Sequence, residues 1–201
     1  MIYYIYIQCN ITRNQREMLK MRTVEPIRDT QTIDEMKQAL LYYGGTRDRF
    51  LFTLGINTGL RVSDLLTLKK KNIKDYRLKL TERKTRKYNN LSLLHIQKQI
   101  DEYIQFLDDE DYLFQSKKSN DPISRVQAYR ILNNSAKAIG LSDIGTHSMR
   151  KTFGYWYYKR SNDIALLMTL FNHSSQRVTL EYIGINQDVL DKSFSDSFGG
   201  L

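Results

Sequence analysis

The chain has 201 residues, enough for one domain with a real core. Its 31 Lys and Arg against 22 Asp and Glu give a formal charge of +9, which points to a polyanionic partner, nucleic acid before any other. The single cysteine, Cys9, excludes an internal disulfide, and three scattered histidines (His95, His147, His173) beside it argue against a structural zinc site. No stretch is long and apolar enough to span a membrane.

The opening MIYYIYIQCN is apolar but lacks the basic start and small-residue cleavage site of a signal peptide. Residues 1–20 read as an upstream extension, with Met18 and Met21 as internal starts. The folded domain is drawn from residue 27 to 201, leaving 1–26 as an N-terminal extension and about 186–201 as a C-terminal tail. DTQTIDEMKQALLYYGG predicts a helix that Asp29, Thr30 or Thr32 can cap and Gly44-Gly45 ends. TRDRFLFTLGINTGL predicts a second helix, apolar on a broad face and therefore buried. RVSDLLTL reads as a short helix just past Gly59. KNIKDYRLKLTERKTRKYNNLSLL alternates apolar and polar residues around a charged turn, which predicts two or three short antiparallel strands. Helical texture returns in HIQKQIDEYIQFLDD, ISRVQAYRILNNSAKAIG, THSMRKTFGYWYYKRS, DIALLMTLFNH and SSQRVTLEYIGI. The acidic run at 108–111 reads as a solvated loop, not as a carboxylate cluster for two-metal chemistry.

Six residues form a set with phosphodiester chemistry. Arg61 follows a glycine turn, and His147 and Arg150, three apart, share one helical face. His173 stands at a helix boundary ahead of Tyr182, and Lys84 lies in the charged turn. Guanidinium groups fork onto non-bridging phosphate oxygens and hold the charge of a five-coordinate phosphorus. A tyrosine hydroxyl, with a pKa of about 10, attacks phosphorus only with help in losing its proton, which a histidine supplies. The leaving deoxyribose oxygen needs a proton from a cationic acid, a role suited to a lysine. Each residue also has an ordinary reading. Arginines are mostly exposed, His147 could cap its helix, Tyr182 is one of 14 tyrosines, and Tyr155, Tyr157 and Tyr158 around Trp156 read as packing. Arg83, Arg86 and Lys87 beside Lys84, together with Lys151, read as contacts to a DNA backbone. His95 matches no motif and reads as structural.

TGLRVSDLL, THSMRKTFG and NHSSQRVTLEYIGI, in that order and at domain-sized spacing, resemble the three motif boxes of the phage integrase, or tyrosine recombinase, family. The resemblance covers roughly residues 27–195. It implies an α+β, mainly helical catalytic domain with a small antiparallel sheet carrying the lysine. It implies DNA cleavage and rejoining through a 3′-phosphotyrosine, in integration or excision of a mobile element, with no metal and no nucleotide cofactor. By position, Arg61 and Arg150 match the phosphate clamps, Lys84 the general acid, His147 the proposed base and His173 the phosphate-supporting position. Asp64 matches an acidic position expected to brace the site by pairing with an arginine. The implied partners are double-stranded DNA and further copies of the chain, as a tetramer on DNA, in the cytoplasm and without a membrane.

The family commonly adds an N-terminal helical clamp, whereas about 28 residues precede the first helix here, too few for a bundle. A minimal recombinase, or half of a larger one, is the expectation. The tail segment NQDVLDKSF, with Val189, Leu190 and Phe194, reads equally as docking on a neighbour or packing in cis. Two other classes remain open at this level. One is a non-catalytic regulator, with SRVQAYRILNNSAKAIGLSDIGTHSMRKTFG as a helix-turn-helix. The other is a single-strand-passing topoisomerase built on similar residues.

Overall fold

The computed structural model describes residues 24–142 and 144–185. The N-terminal segment with its proposed internal starts, and the tail with Val189, Leu190 and Phe194, lie outside the described residues.

Helix α1 (Thr30–Gly44) starts where the Asp29 carboxylate accepts the Thr32 amide at 2.7 Å. It ends at Gly45, whose φ of 90° is a left-handed region value that a side chain resists. Helix α2 (Thr46–Thr58) is buried along most of its length, as its broad apolar face predicted. Its cap, Gly59, has φ 63° and lies so close to Phe153 that a Cβ would fall 2.3 Å from the ring. Glycine is therefore required here twice over, by conformation and by space. The chain then turns into the single-turn helix α3 (Val62–Leu65).

Three strands follow in antiparallel order: β1 (Ile73–Lys74), β2 (Arg77–Thr81) and β3 (Tyr88–Ser92). Leu78 pairs with Ile73 on one side and Leu91 on the other. Along β2, Leu78 and Leu80 point inward while Arg77, Lys79 and Thr81 face solvent. Helix α4 (Gln97–Ile104) is shorter than the sequence pattern suggested, and His95 lies exposed in the 3₁₀ turn before it. The acidic run at 108–111 is more than a solvated loop. Asp109 and Asp111 carbonyls accept the Lys71 and Lys70 amides, and Glu110 pairs with Lys69 and Lys71 at 3.0 and 2.7 Å. Position next to the basic KKK run decides this, a proximity invisible in one dimension.

Helix α5 (Arg125–Ala138), capped by Ser124, leads to α6 (Thr146–Ser161), α7 (Ile164–Phe171) and α8 (Gln176–Tyr182). The core has two parts. The larger holds Leu40, Leu51, Phe52, Leu54, Ile100, Phe114 and Leu132, all fully buried. A smaller cluster of Leu167, Phe171, Ile183 and Ile185 takes Phe153, Tyr155, Tyr157, Tyr158 and Tyr182 around it. Helix α6 joins the two, giving Met149 to the first and Phe153 to the second. The folded region begins before residue 27. Pro26 and Ile27 are buried, the Ile27 amide donates to Thr152 Oγ1 at 2.9 Å, and Trp156 Nε1 donates to the Ile27 carbonyl.

Gly154 is where α6 meets the end of α7 and the residue just past α8, and a Cβ there would lie 2.6 Å from Ile183 Cγ2 and 2.8 Å from the Phe171 ring. Neither neighbour is a flexible chain end. Gly154→Ala should therefore destabilise the domain by about 1–2 kcal/mol despite its gain in helix propensity. Denaturant unfolding measures it, and an unchanged or raised midpoint would contradict this packing.

Candidate active site

The site forms where the Gly59 turn, the start of α6, the end of α7 and the end of α8 converge beside the β2–β3 turn. Arg150, 5% exposed, is its centre. One terminal nitrogen donates to the Gly59 carbonyl and the other to the Phe171 carbonyl at 3.2 Å, while the guanidinium carbon lies 4.2 Å from the Phe171 ring centre. A buried guanidinium must find hydrogen-bond acceptors or cost several kcal/mol, and two main-chain carbonyls supply them. Burial pulls its pKa down from 12.5, and an arginine in a protein keeps its charge.

Tyr182 ends α8, half-buried. Its ring meets His173 edge-on at 5.2 Å between centres and Phe171 at 5.4 Å. Burial pushes the phenol above 10.0, and the nearby positive charges of Arg150 and Arg61 oppose that rise without cancelling it. His173 Nδ1 is 3.1 Å from Thr179 Oγ1, which orients the ring. His147 is exposed at the first turn of α6, one turn ahead of Arg150. Partial desolvation and the cations Arg150 and Arg61 lower the pKa of both histidines below 6.5, with Lys151 adding to the effect at His147. Both imidazoles are thus neutral near pH 7 and able to accept a proton.

Arg61, at the start of α3, donates to Glu82 Oε2 at 2.6 Å. Glu82 is 3% exposed. Burial alone would raise its pKa, but hydrogen bonds from Thr85 and Asn89 and the charges of Arg61 and Arg150 outweigh burial and hold the carboxyl below its ordinary value. Asp64 does not make the arginine ion pair expected of it. Its Oδ1 accepts the backbone amide of Arg83 at 3.0 Å, and Oδ2 is buried with no hydrogen-bond partner among the described residues. The physical reason is that α3 is a single turn. Arg61 at its start reaches Glu82, while Asp64 three residues on meets the hairpin backbone instead.

The structure therefore brings Arg61, Arg150, His173 and Tyr182 together, with His147 at the rim. Lys84 lies exposed on the turn between β2 and β3, as do the side chains of Arg83 and Arg86. Lys87 is half-buried, and its Nζ donates to the Thr169 carbonyl at 2.9 Å. Lys151 is buried, with Nζ 5.4 Å from the Tyr182 ring centre, and burial lowers its pKa. Sequence reasoning missed Glu82, Thr85, Asn89 and Thr179. One signal existed for Glu82. It continues the inward phase of Leu78 and Leu80, and an acid on the buried face of a strand needs partners.

Residues 29–188 match the model of the phage integrase family. The chain belongs to that family. It is 48% identical over 184 residues to the "Probable integrase/recombinase YoeC" of Bacillus subtilis (strain 168), covering 90% of this chain and all of that one. Among solved structures it resembles XerA recombinase at TM-score 0.70 and 18% identity, covering 87% of this chain and 64% of that one. It also resembles a lambda integrase tetramer bound to a Holliday junction at TM-score 0.64 and 22% identity, covering 80% of this chain and 48% of that one. The chain likewise spans about half the length of the XerC tyrosine recombinase it matches, 53%. These structural likenesses establish an α+β, mainly helical recombinase fold with a three-stranded antiparallel sheet.

The three histidines give a direct test of the site's field. Burial is the first cause of depression at all three, but the cations beside it differ: Arg150 and then Arg61 act on both His147 and His173, and Arg160 acts on His95. NMR titration of the ring protons should place all three below 6.5, and Arg61→Ala should move His147 and His173 upward while leaving His95 in place. Unmoved site histidines would mean that Arg61 does not face them.

Proposed function

We propose that this chain cleaves and rejoins double-stranded DNA as a site-specific tyrosine recombinase, with Tyr182 as nucleophile. The observation that carries the reading is the convergence of Tyr182, His173, Arg150 and Arg61 from distant parts of the chain in one cationic site.

Arg61 and Arg150 hold the non-bridging oxygens of the scissile phosphate, where negative charge builds in the transition state. The Tyr182 oxygen attacks phosphorus, and its proton passes to neutral His147. As the bond to the 5′-oxygen breaks, Lys84 gives that oxygen a proton. The products are a 3′-phosphotyrosine and a free 5′-hydroxyl. Attack by a 5′-hydroxyl from a partner duplex reverses every step on a new strand. One phosphodiester is exchanged for another, so the bond energy is conserved and no nucleotide is consumed. His173 supports the phosphate, and Asp64, through the Arg83 amide, steadies the hairpin. Arg83 and Arg86 on the exposed turn are placed to follow the DNA backbone.

A raised Tyr182 pKa fits this scheme. The phenol stays protonated until a phosphate and a base are both present, which suppresses idle reactivity. The helix-turn-helix alternative fits poorly, because Ser148 to Thr152 of its second helix are buried and cannot line a DNA groove. Assembly as a tetramer on DNA is proposed from likeness to the lambda integrase tetramer. Integration or excision of a mobile element is the biological setting that family membership favours.

A nicked suicide duplex traps the covalent intermediate, because the short 5′ fragment diffuses away. The wild type should give a covalent protein–DNA band, and Tyr182→Phe none. Arg150→Ala or Arg61→Ala should slow its formation at least about 100-fold, the scale of removing a transition-state donor. A band from Tyr182→Phe would overturn the nucleophile. Relaxation of supercoils without strand exchange would favour a topoisomerase.

A further inference from the structure

The turn that carries Lys84 is tied to the site through one carboxylate oxygen. Glu82 Oε2 accepts from Arg61 at 2.6 Å and from the Thr85 hydroxyl at 2.8 Å, while Oε1 accepts from Asn89 at 3.0 Å. The turn also closes on Glu82 through its backbone, with Glu82 N donating to the Lys87 carbonyl and Arg86 N to the Glu82 carbonyl. On the far side, Lys87 is fastened to the Thr169 carbonyl, two residues from Phe171. Lys84 itself is exposed and makes no hydrogen bond among the described residues. A general acid works only within hydrogen-bond reach of its leaving oxygen. Such a side chain needs its base held, since its own tip is not.

We propose that Thr85, acting through Glu82, is a positioning residue for Lys84. The shared oxygen sets the distance between the turn bearing the ammonium and Arg61, the group on which the scissile phosphate rests. Both then approach one phosphate in fixed relation. This inference rests on Lys84 as the acid and Arg61 as the clamp. Glu82 is not a competitor for the phosphate. Its side chain is 4% exposed against 23% for Arg61, so DNA meets the outer edge of the guanidinium while the inner edge stays on Glu82. The Thr85 hydroxyl also accepts the Lys87 amide at a long 3.4 Å, but two shorter backbone hydrogen bonds close the turn beside it.

The test uses single-turnover cleavage of two nicked duplexes, one all-oxygen and one with sulfur replacing the bridging 5′-oxygen. A thiolate leaves without a proton, so the sulfur duplex bypasses the acid. Thr85→Val keeps the branched shape and deletes the hydroxyl. It should slow cleavage of the oxygen duplex about 10-fold, within the range that misplacing a catalytic group produces. Thr85→Ser should restore most of that rate, and DNA affinity should hold within about 2-fold, since no phosphate contact is removed. On the sulfur duplex the deficits of Thr85→Val and of Lys84→Ala should both largely vanish. Glu82→Gln, which also weakens Arg61, should recover only in part and supplies a second readout if Thr85→Val folds poorly. Wild-type rates in Thr85→Val would overturn the proposal. So would a deficit that persists with sulfur while Lys84→Ala recovers. Failure of Lys84→Ala itself to recover would instead overturn the acid assignment, and the inference with it.

Discussion

The burial of the Arg150 guanidinium is the constraint on which the rest of the site depends. It draws the Gly59 carbonyl from the first motif and the Phe171 carbonyl from just ahead of the third into contact with the second. A cation in that setting costs several kcal/mol if any acceptor is lost, so the three segments move as one. Gly59 turns its carbonyl inward only because its left-handed φ reverses the chain there. Phe171 supplies both a carbonyl and a ring face. Tyr182 then packs on that same ring, so its phenol is indexed to the arginine through shared aromatic contact.

Around this centre the electrostatics are arranged in layers. Cations gather where a phosphate would lie: Arg61, Arg150 and, beneath the Tyr182 ring, Lys151. Their mutual repulsion is offset from below by two buried carboxylates, Glu82 and Asp64, each turned toward the hairpin. Partial burial, reinforced by Arg150 and Arg61, depresses both histidines, while burial raises the phenol. Proton donor and acceptors are thus separated before DNA arrives. The small sheet reaches the site through its turn, while its inner face, with Leu78 and Leu80, packs into the core.

Much of this was legible in the chain. The helix cap at Asp29, one of three candidates, the short antiparallel strands and the long buried α2 follow from spacing and local chemistry, whereas the Ser124 cap came only with the structure. So does the placing of His147 and Arg150 on one face, since residues three apart in a helix cannot do otherwise. Asp64 marks where local reasoning fails. Its position after Arg61 suggested an ion pair, but which arginine or amide it meets depends on where a hairpin some twenty residues later comes to rest.

Local motifs in the chain single out the candidates for the chemistry: Arg61, His147, Arg150, His173 and Tyr182 stand in motifs whose order and spacing are one-dimensional facts. Tertiary structure decided what each of them leans on. Glu82, Thr85 and Lys87 gain their roles only when the β2–β3 turn packs against α3 and α7, a contact made across 21 residues for Arg61–Glu82 and 82 for Lys87–Thr169. Lys151, expected at the surface, is buried because α6 bridges both parts of the core and leaves its inward face no solvent. Spacing along a chain fixes a face of a helix, whereas the partner of that face is chosen by the packing of the whole domain.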